Sequence, residues 1–205
     1  MRYPAFFDDV PRITLRDPLA EFLGATEDGV IEYAYLDAVK LAGHSCPTVA
    51  GIYLMTLKAL AHLYGEARPE RGAIRVRFRD DIGAGTTGVI ANVAGLLTGA
   101  AGPGGFKGIG GRFDRRNLLA FGADIQTEAR FERADTGRGV DVSYRSEIVP
   151  PAPAMKALMP KVASGAATAE ENREFARLWQ DRVRRILIDH RDHPELVVLR
   201  WLPSA

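Results

Sequence analysis

The sequence places its single cysteine two residues after one of its four histidines, in the segment Gly43-His44-Ser45-Cys46-Pro47. An imidazole nitrogen and a thiolate sulfur so close together suit a borderline-soft metal ion such as zinc. Pro47 favours the first turn of a helix, which the apolar residues 48–64 continue. Cys46 then lies at the helix N-terminus, where unpaired N–H groups and the helix dipole favour a thiolate.

His44 and Cys46 are therefore candidate metal ligands. Zinc sites in proteins use three or four ligands, so the others must come from elsewhere in the chain, from a second copy of the chain or from water. The same thiol could instead act as a nucleophile, or pack as a small apolar group.

Composition narrows the class of protein. The chain has 205 residues, of which 46% are hydrophobic, so it can bury a substantial core as one domain with an appendage. A net charge of +1 gives no electrostatic reason to expect nucleic acid or an anionic membrane as a partner. One cysteine excludes an internal disulfide framework and agrees with a reducing compartment. The charged N-terminal segment is unlike a signal peptide and no apolar run could span a bilayer, so we expect a cytoplasmic protein.

Apolar periodicity predicts an α+β fold, with a mostly antiparallel sheet packed against helices. We expect a core over residues 1–149 with an irregular N-terminal arm, and a helical C-terminal extension over 150–205 that ends in a strand. The arm covers residues 1–28 and contains one short helix. Further helices are predicted at 36–42, 48–64 and 89–97, with two more after Pro153, the second with a capping box between Thr168 and Glu171. Strands are predicted at 30–35, 73–79, 117–125, 128–133, 140–148 and 196–201.

A glycine-rich segment, residues 98–111, precedes a cluster of basic side chains. Glycines let backbone N–H groups approach a ligand, and arginine and lysine hold anions. The segment matches no nucleotide-binding fingerprint, and a flexible surface loop is the alternative. The residues that we predict to bind an anionic ligand here are Lys107, Arg112, Arg115 and Asn117.

A second pair of candidate ligands lies near the C-terminus, in Asp189-His190-Arg191-Asp192-His193. The spacing of His190 and His193 at a helix end can point both rings the same way. They are possible additional metal ligands. Histidines at helix C-termini also interact favourably with the dipole, which is the alternative.

Three motifs resemble the FmdE-like family, which takes its name from a component of formylmethanofuran dehydrogenase. Gly43-His44-Ser45-Cys46-Pro47 followed by Gly51 resembles its "GHxCPxxxxG" signature, and two later segments, 92–99 and 116–118, resemble degenerate family motifs. The resemblance implies an α+β core, often dimeric, in which His44 and Cys46 bind a metal, usually zinc, or line a cleft. The chain departs from the family at Ala100, where a second cysteine is usual, and a single cysteine excludes the C-terminal zinc ribbon that many members carry.

Three functions remain open from the sequence. The first is a zinc-binding protein, or one that binds another transition metal, whose cleft takes a small anionic molecule; the resemblance implies a homodimer. The second is a haem or other cofactor-binding protein that uses the same cleft. The third is a metal-free protein with a reactive thiol at Cys46 and His44 as its base.

Overall fold

The chain forms an α+β domain in the computed structural model, which describes residues 3–202. The strands are β1 (Ile13–Arg16), β2 (Val30–Tyr33), β3 (Ile74–Phe78), β4 (Leu119–Ala120), β5 (Ala129–Arg133), β6 (Gly139–Tyr144) and β7 (Val197–Leu202). The α-helices are α1 (Pro18–Phe22), α2 (Tyr35–Ala42), α3 (Pro47–Tyr64), α4 (Thr87–Thr98), α5 (Pro153–Ala163) and α6 (Ala169–Arg184). Within residues 3–202, no helix combines the length and the apolar character that crossing a membrane requires.

Two sheets organise the strands. β1 and β2 form an antiparallel pair, and the larger sheet has the order β4-β3-β5-β6-β7. All neighbours in the larger sheet are antiparallel except β3 and β4. The mostly antiparallel α+β fold expected from the sequence is therefore confirmed.

Helix α3 lies at the centre of the molecule. It packs against α2, α4 and the β5–β6–β7 side of the sheet. Residues 49–56, which include Tyr53, Leu54 and Met55, are all buried, whereas Ala61 and His62 near its C-terminus are exposed. The N-terminal half of α3 therefore lies inside the core, and its later turns reach solvent.

The alternation of apolar and basic residues in 73–79 is realised in β3. Ile74, Val76 and Phe78 are buried, whereas Arg75 and Arg77 lie on the other face, where both pair with Glu132 of β5. The two strand faces thus separate core from surface, as period-two patterns predict.

The N-terminal segment is more regular than predicted. Residues 13–16 form β1, which pairs with β2 in the register Ile13↔Tyr33 to Arg16↔Val30. The description of 1–28 as irregular was therefore wrong for this segment. The predicted strand over 117–125 was also too long, because only Leu119–Ala120 pairs with β3 before the chain turns away.

The C-terminal segment contributes to both the sheet and the core. β7 is the edge strand next to β6, and Val183, Ile186 and Leu187 are buried in the main core. Helix α6 begins with the predicted capping box, in which Thr168 and Glu171 bond each other's backbone N–H groups. Helices α5 and α6 pack against each other, and α6 also contacts α3.

Candidate functional site

Residues 43–47 form the turn between α2 and α3, which we call the motif loop. Gly43 ends α2 with a left-handed φ of +76°, a conformation that glycine adopts without strain. Cys46 is the N-cap of α3, and its Sγ atom accepts a hydrogen bond from the backbone N–H of Val49 at 3.4 Å. Pro47 occupies the first turn. The predicted position of Cys46 at the helix N-terminus is confirmed.

His44 and Cys46 differ in their access to solvent. His44 is exposed, whereas Cys46 is only 8% exposed. The His44 Nδ1 atom lies 2.9 Å from the carbonyl oxygen of Ala42. Since a carbonyl only accepts, this bond requires a proton on Nδ1, and in the neutral ring Nε2 is then free to act as a base or a ligand.

Two tyrosines contact the residues on either side of Cys46, at Ser45 and at Gly51, and were not anticipated from the sequence. The Tyr35 hydroxyl is 3.0 Å from the Ser45 hydroxyl. The Tyr144 ring lies against Gly51, where an added Cβ atom would be 2.5 Å from the ring. Burial raises the pKa of both tyrosine hydroxyls. The glycine of the motif is thus required by the approach of Tyr144.

Helix α6 holds the motif loop in place. The Trp179 indole N–H and the Gln180 side-chain N–H both donate to the Ser45 carbonyl, at 3.0 and 3.1 Å. The Tyr144 hydroxyl and the Gln180 side-chain oxygen are buried, and neither has a hydrogen-bond partner within residues 3–202. More than 130 residues separate Ser45 from Trp179, so no local pattern could have revealed this contact.

The motif loop of a single chain provides too few ligands for a complete zinc site. Residues 3–202 contain no group of three or more His, Cys, Asp or Glu side chains placed to hold a metal ion. His44 and Cys46 offer two donors, fewer than the three or four that zinc uses in proteins. Their assignment as metal ligands stays a prediction.

His190 and His193 lie in the turn between the π-helical residues Arg185–Asp189 and β7. Their ring centroids are 6.4 Å apart. The His193 Nδ1 atom accepts from the Glu195 N–H at 3.2 Å, and His190 Nδ1 is 3.2 Å from the Arg185 carbonyl. The Nδ1 atoms of both rings therefore stabilise the local turn. Metal binding by this pair also stays a prediction.

Two of the four predicted anion-binding residues line one cavity of about 440 Å³, which we call the arginine cavity. Its lining residues are Arg16, Pro18, Glu70, Arg71, Gly72, Arg112, Phe113, Asp114 and Arg115. Lys107 and Asn117 are exposed and are not among them. Arg16 and Arg71, which the sequence did not single out, complete the basic wall.

Asp17 ties two of these arginines together. Its Oδ2 atom is 2.9 Å from Arg71 Nη1, and its Oδ1 atom is 2.6 Å from Arg115 Nη2. Burial raises the pKa of Asp17, but the hydrogen bonds from Arg115 and Arg71 outweigh that effect and leave the pKa below its usual value. Asp17 is therefore ionised at neutral pH, and the triad carries one uncompensated positive charge.

The glycines at this site make room for Arg115. A Cβ atom at Gly72 or Gly99 would lie 2.4 or 2.3 Å from its guanidinium group. Both glycines also have positive φ values, of 89° and 75°. The first part of the glycine-rich segment is thus packed around an arginine, and the surrounding backbone is ordered by hydrogen bonds from Ala101 to Arg115 and from Arg115 to Phe106.

Among the arginines that line the cavity, Arg112 is the one whose positive charge is not paired with a carboxylate of the described residues. Its guanidinium carbon lies 4.6 Å from the centroid of the Phe113 ring and 5.8 Å from that of Phe22. Over the described range, no carboxylate pairs with it. Stacking on aromatic rings orients a guanidinium while leaving its N–H donors available.

The carboxylates near the cavity are already engaged. Arg16 contacts Glu21 and, at 3.9 Å, Glu70. A hydrogen bond from Arg116 lowers the pKa of Asp114 to about 2. Four arginines and two carboxylates line the cavity, so it presents a net positive surface.

The sequence matches no family model, and no curated protein is significantly similar to it. The resemblance of the motif loop to the FmdE-like family therefore rests on the motif residues alone.

Proposed function

We propose that this protein binds a small, multiply charged anion in the arginine cavity. The observation that carries the proposal is the Arg112 guanidinium, which faces the cavity without a carboxylate partner among the described residues. The neighbouring Arg71 and Arg115 share one carboxylate, Asp17, so they add a further positive charge to the same wall.

The chemistry of the donors favours phosphate or carboxylate groups. A guanidinium presents paired N–H donors that match the two oxygens of either group. Such pairs gain strength where the surroundings exclude water, and Arg115 is only 7% exposed. Asp17 and the glycines around Arg115 keep these donors in one orientation before any ligand arrives, which lowers the entropic cost of binding.

Isothermal titration with pyrophosphate tests this function. We expect saturable binding by the wild-type chain that weakens as salt is added. The Arg112→Gln variant should bind about tenfold or more weakly, a loss of about 1.4 kcal/mol or more. The matched control is Arg177→Gln, since Arg177 lies on α6 and pairs with Glu174. Absence of binding by the wild type, or equal affinity for wild type and Arg112→Gln, would contradict the proposal.

A second candidate function is metal binding at the motif loop. It is favoured by a sulfur atom at the N-terminus of α3 and by the His44 Nδ1 contact with Ala42, which leaves Nε2 available. Two copies of the chain would together supply four such donors, the number that a closed zinc site needs. Zinc would act there as a structural ion or a Lewis acid.

Elemental analysis of tag-free protein, purified without added metal, tests this second function. We expect zinc in the wild type and its loss in the His44→Ala/Cys46→Ala variant, with His62→Ala as the control. Equal metal content in all three proteins would rule out the motif loop as a metal-binding site. An absorption spectrum and the alkylation rate of Cys46 in the same samples test the haem and reactive-thiol alternatives.

A further inference from the structure

A second cavity, of about 450 Å³, adjoins the arginine cavity and shares Arg71 and Arg115 with it. We call it the apolar cavity. Its apolar lining comes from Leu19, Ala20, Leu23, Ala25, Ala100, Ala101 and Phe106. Helix α1 contributes Pro18 to the arginine cavity and Leu19 and Ala20 to the apolar one. The two cavities therefore flank this short helix and meet at the Asp17–Arg71–Arg115 triad.

Large apolar side chains are unusually exposed around this junction. Leu23 is 61% exposed and Phe106 is 42% exposed, and both line the apolar cavity. Phe22, whose ring contacts the Phe113 ring and the Arg112 guanidinium, is 53% exposed. Exposed apolar surface concentrated beside a cavity and rimmed by charged groups is typical of a ligand-binding groove.

We propose that the anion bound by this protein is amphipathic: a phosphate or carboxylate head contacts Arg112, Arg71 and Arg115, and an attached hydrocarbon chain lies in the apolar cavity against Leu23 and Phe106. This proposal rests on the proposed function, since it assigns the head group to the same arginines. The two cavities supply complementary halves of one site. Each alone has the volume of a small-molecule pocket.

The arrangement of charge supports a single ligand that spans both cavities. Arg71 and Arg115 reach both of them, so a head group bound to these guanidinium groups is adjacent to the apolar lining. Asp17, the carboxylate nearest to the junction, is occupied by both arginines and by the N–H groups of Leu19 and Ala20. It therefore does not present a free negative charge to the hydrocarbon chain or to the head group.

Calorimetric titration with a series of monoalkyl phosphates, from methyl to hexyl and below their aggregation concentrations, tests the proposal. We expect affinity to rise about twofold to fourfold with each methylene that becomes buried. The Leu23→Ser/Phe106→Ser variant should bind methyl phosphate like the wild type but lose the dependence on chain length. The Arg112→Gln variant should weaken every member of the series by the same factor.

Ile82→Ser is the matched control, because Ile82 is 63% exposed and lines neither cavity. It should keep the full dependence on chain length. Thermal melts of all variants establish that they are folded.

Two results would contradict the proposal that the ligand is amphipathic: an affinity that does not depend on chain length, or a chain-length effect that persists in Leu23→Ser/Phe106→Ser. Neither result would contradict the proposed binding of an anion in the arginine cavity. Failure of pyrophosphate and of every alkyl phosphate overturns both proposals. A second experiment is co-sedimentation with phosphatidylcholine vesicles that contain phosphatidic acid. If the wild type co-sediments and both the Leu23→Ser/Phe106→Ser and Arg112→Gln variants do not, the amphipathic ligand is a lipid of the bilayer. Binding of the alkyl phosphates without such co-sedimentation would identify a free ligand.

Discussion

The Nη2 atom of Arg115 lies 2.6 Å from the Oδ1 atom of Asp17, and 98 residues separate them in the chain. The pair joins the start of α1 to the basic residues that follow the glycine-rich segment. Both residues are buried, at 7% and 3% exposure. A buried pair of this kind fixes the cavity wall, because neither partner can leave without exposing the other's charge to an apolar environment.

We predict that Asp17→Asn destabilises the protein by about 3–5 kcal/mol, the usual effect of removing one partner of a buried ion pair. Asparagine is as good an N-cap as aspartate, so α1 keeps its cap and the loss reports on Arg71 and Arg115. Urea unfolding measures it. Asp135→Asn is the control, since Asp135 forms an exposed pair with Arg133 and should lose about 1 kcal/mol or less. Similar losses in both variants would show that the triad contributes little.

The same carboxylate gives an expected pH dependence. Because the pKa of Asp17 is lower in the folded chain than its usual value of 3.8, the folded state binds this proton less readily than the unfolded state. Its contribution to stability is therefore complete above about pH 5 and is lost as the pH falls through the folded-state pKa. Urea unfolding between pH 6 and pH 3 should show a smaller loss for Asp17→Asn than for the wild type. Parallel curves for the two proteins would contradict this.

The glycines that surround Arg115 allow a matched test of steric fit. Gly43 and Gly99 both end helices with φ near 75°, but a Cβ atom would meet nothing within 4 Å at Gly43 and would lie 2.3 Å from Arg115 at Gly99. The strain of alanine at positive φ is common to both positions. We therefore predict that Gly99→Ala costs about 1–3 kcal/mol more than Gly43→Ala, the usual cost of overpacking. Equal melting temperatures would indicate that Arg115 moves aside freely.

Local patterns predicted much of the fold. Pro47 after a capping residue, the Thr168–Glu171 capping box and the alternation in 73–79 each depend on neighbours within a few residues, and each is present in the structure. β1 was missed because its four residues gain their order from pairing with β2 rather than from their own pattern. Secondary structure that depends on a distant partner leaves a weak local signal.

The surroundings of the candidate site were harder to anticipate for the same reason. Asp17 lies at the start of the short helix predicted in the arm, and no residue near it in the chain pointed to Arg71 or Arg115. Tyr144 reaches Gly51 of α3 from the sheet, and Trp179 reaches the motif loop from α6, so both contacts follow from the tertiary fold alone. The glycines near Arg115 were recognised as unusual, but their purpose depends on the arginine that they surround.

The buried Tyr144 hydroxyl is expected to be dispensable for stability. It has no hydrogen-bond partner among the described residues, and an unsatisfied buried polar group costs about 1–3 kcal/mol. Tyr144→Phe should therefore leave the free energy of unfolding unchanged or raise it by about 1 kcal/mol. Tyr53→Phe is the control, since the Tyr53 hydroxyl donates to backbone carbonyls of Pro11 and Tyr33, and its loss should destabilise by about 1 kcal/mol. A destabilised Tyr144→Phe would show that the hydroxyl has a partner in solution.

Glu128 should have the opposite pH behaviour to Asp17. Burial raises its pKa above the usual 4.5, although the Tyr144 N–H donates to its Oε2 atom at 2.8 Å. A carboxyl group with a raised folded-state pKa contributes stability below its unfolded pKa, and that contribution is lost as the pH rises through the folded value. Glutamine keeps the acceptor for Tyr144 without the buried charge. We therefore predict that Glu128→Gln is more stable than the wild type at pH 7 and that the difference shrinks towards pH 4.

Urea unfolding at pH 7 and at pH 4 measures this difference in the free energy of unfolding. The control is Glu174→Gln, because the side chain of Glu174 is exposed. A Glu128→Gln variant that is less stable than the wild type at pH 7 would show that the surroundings stabilise the ionised carboxylate.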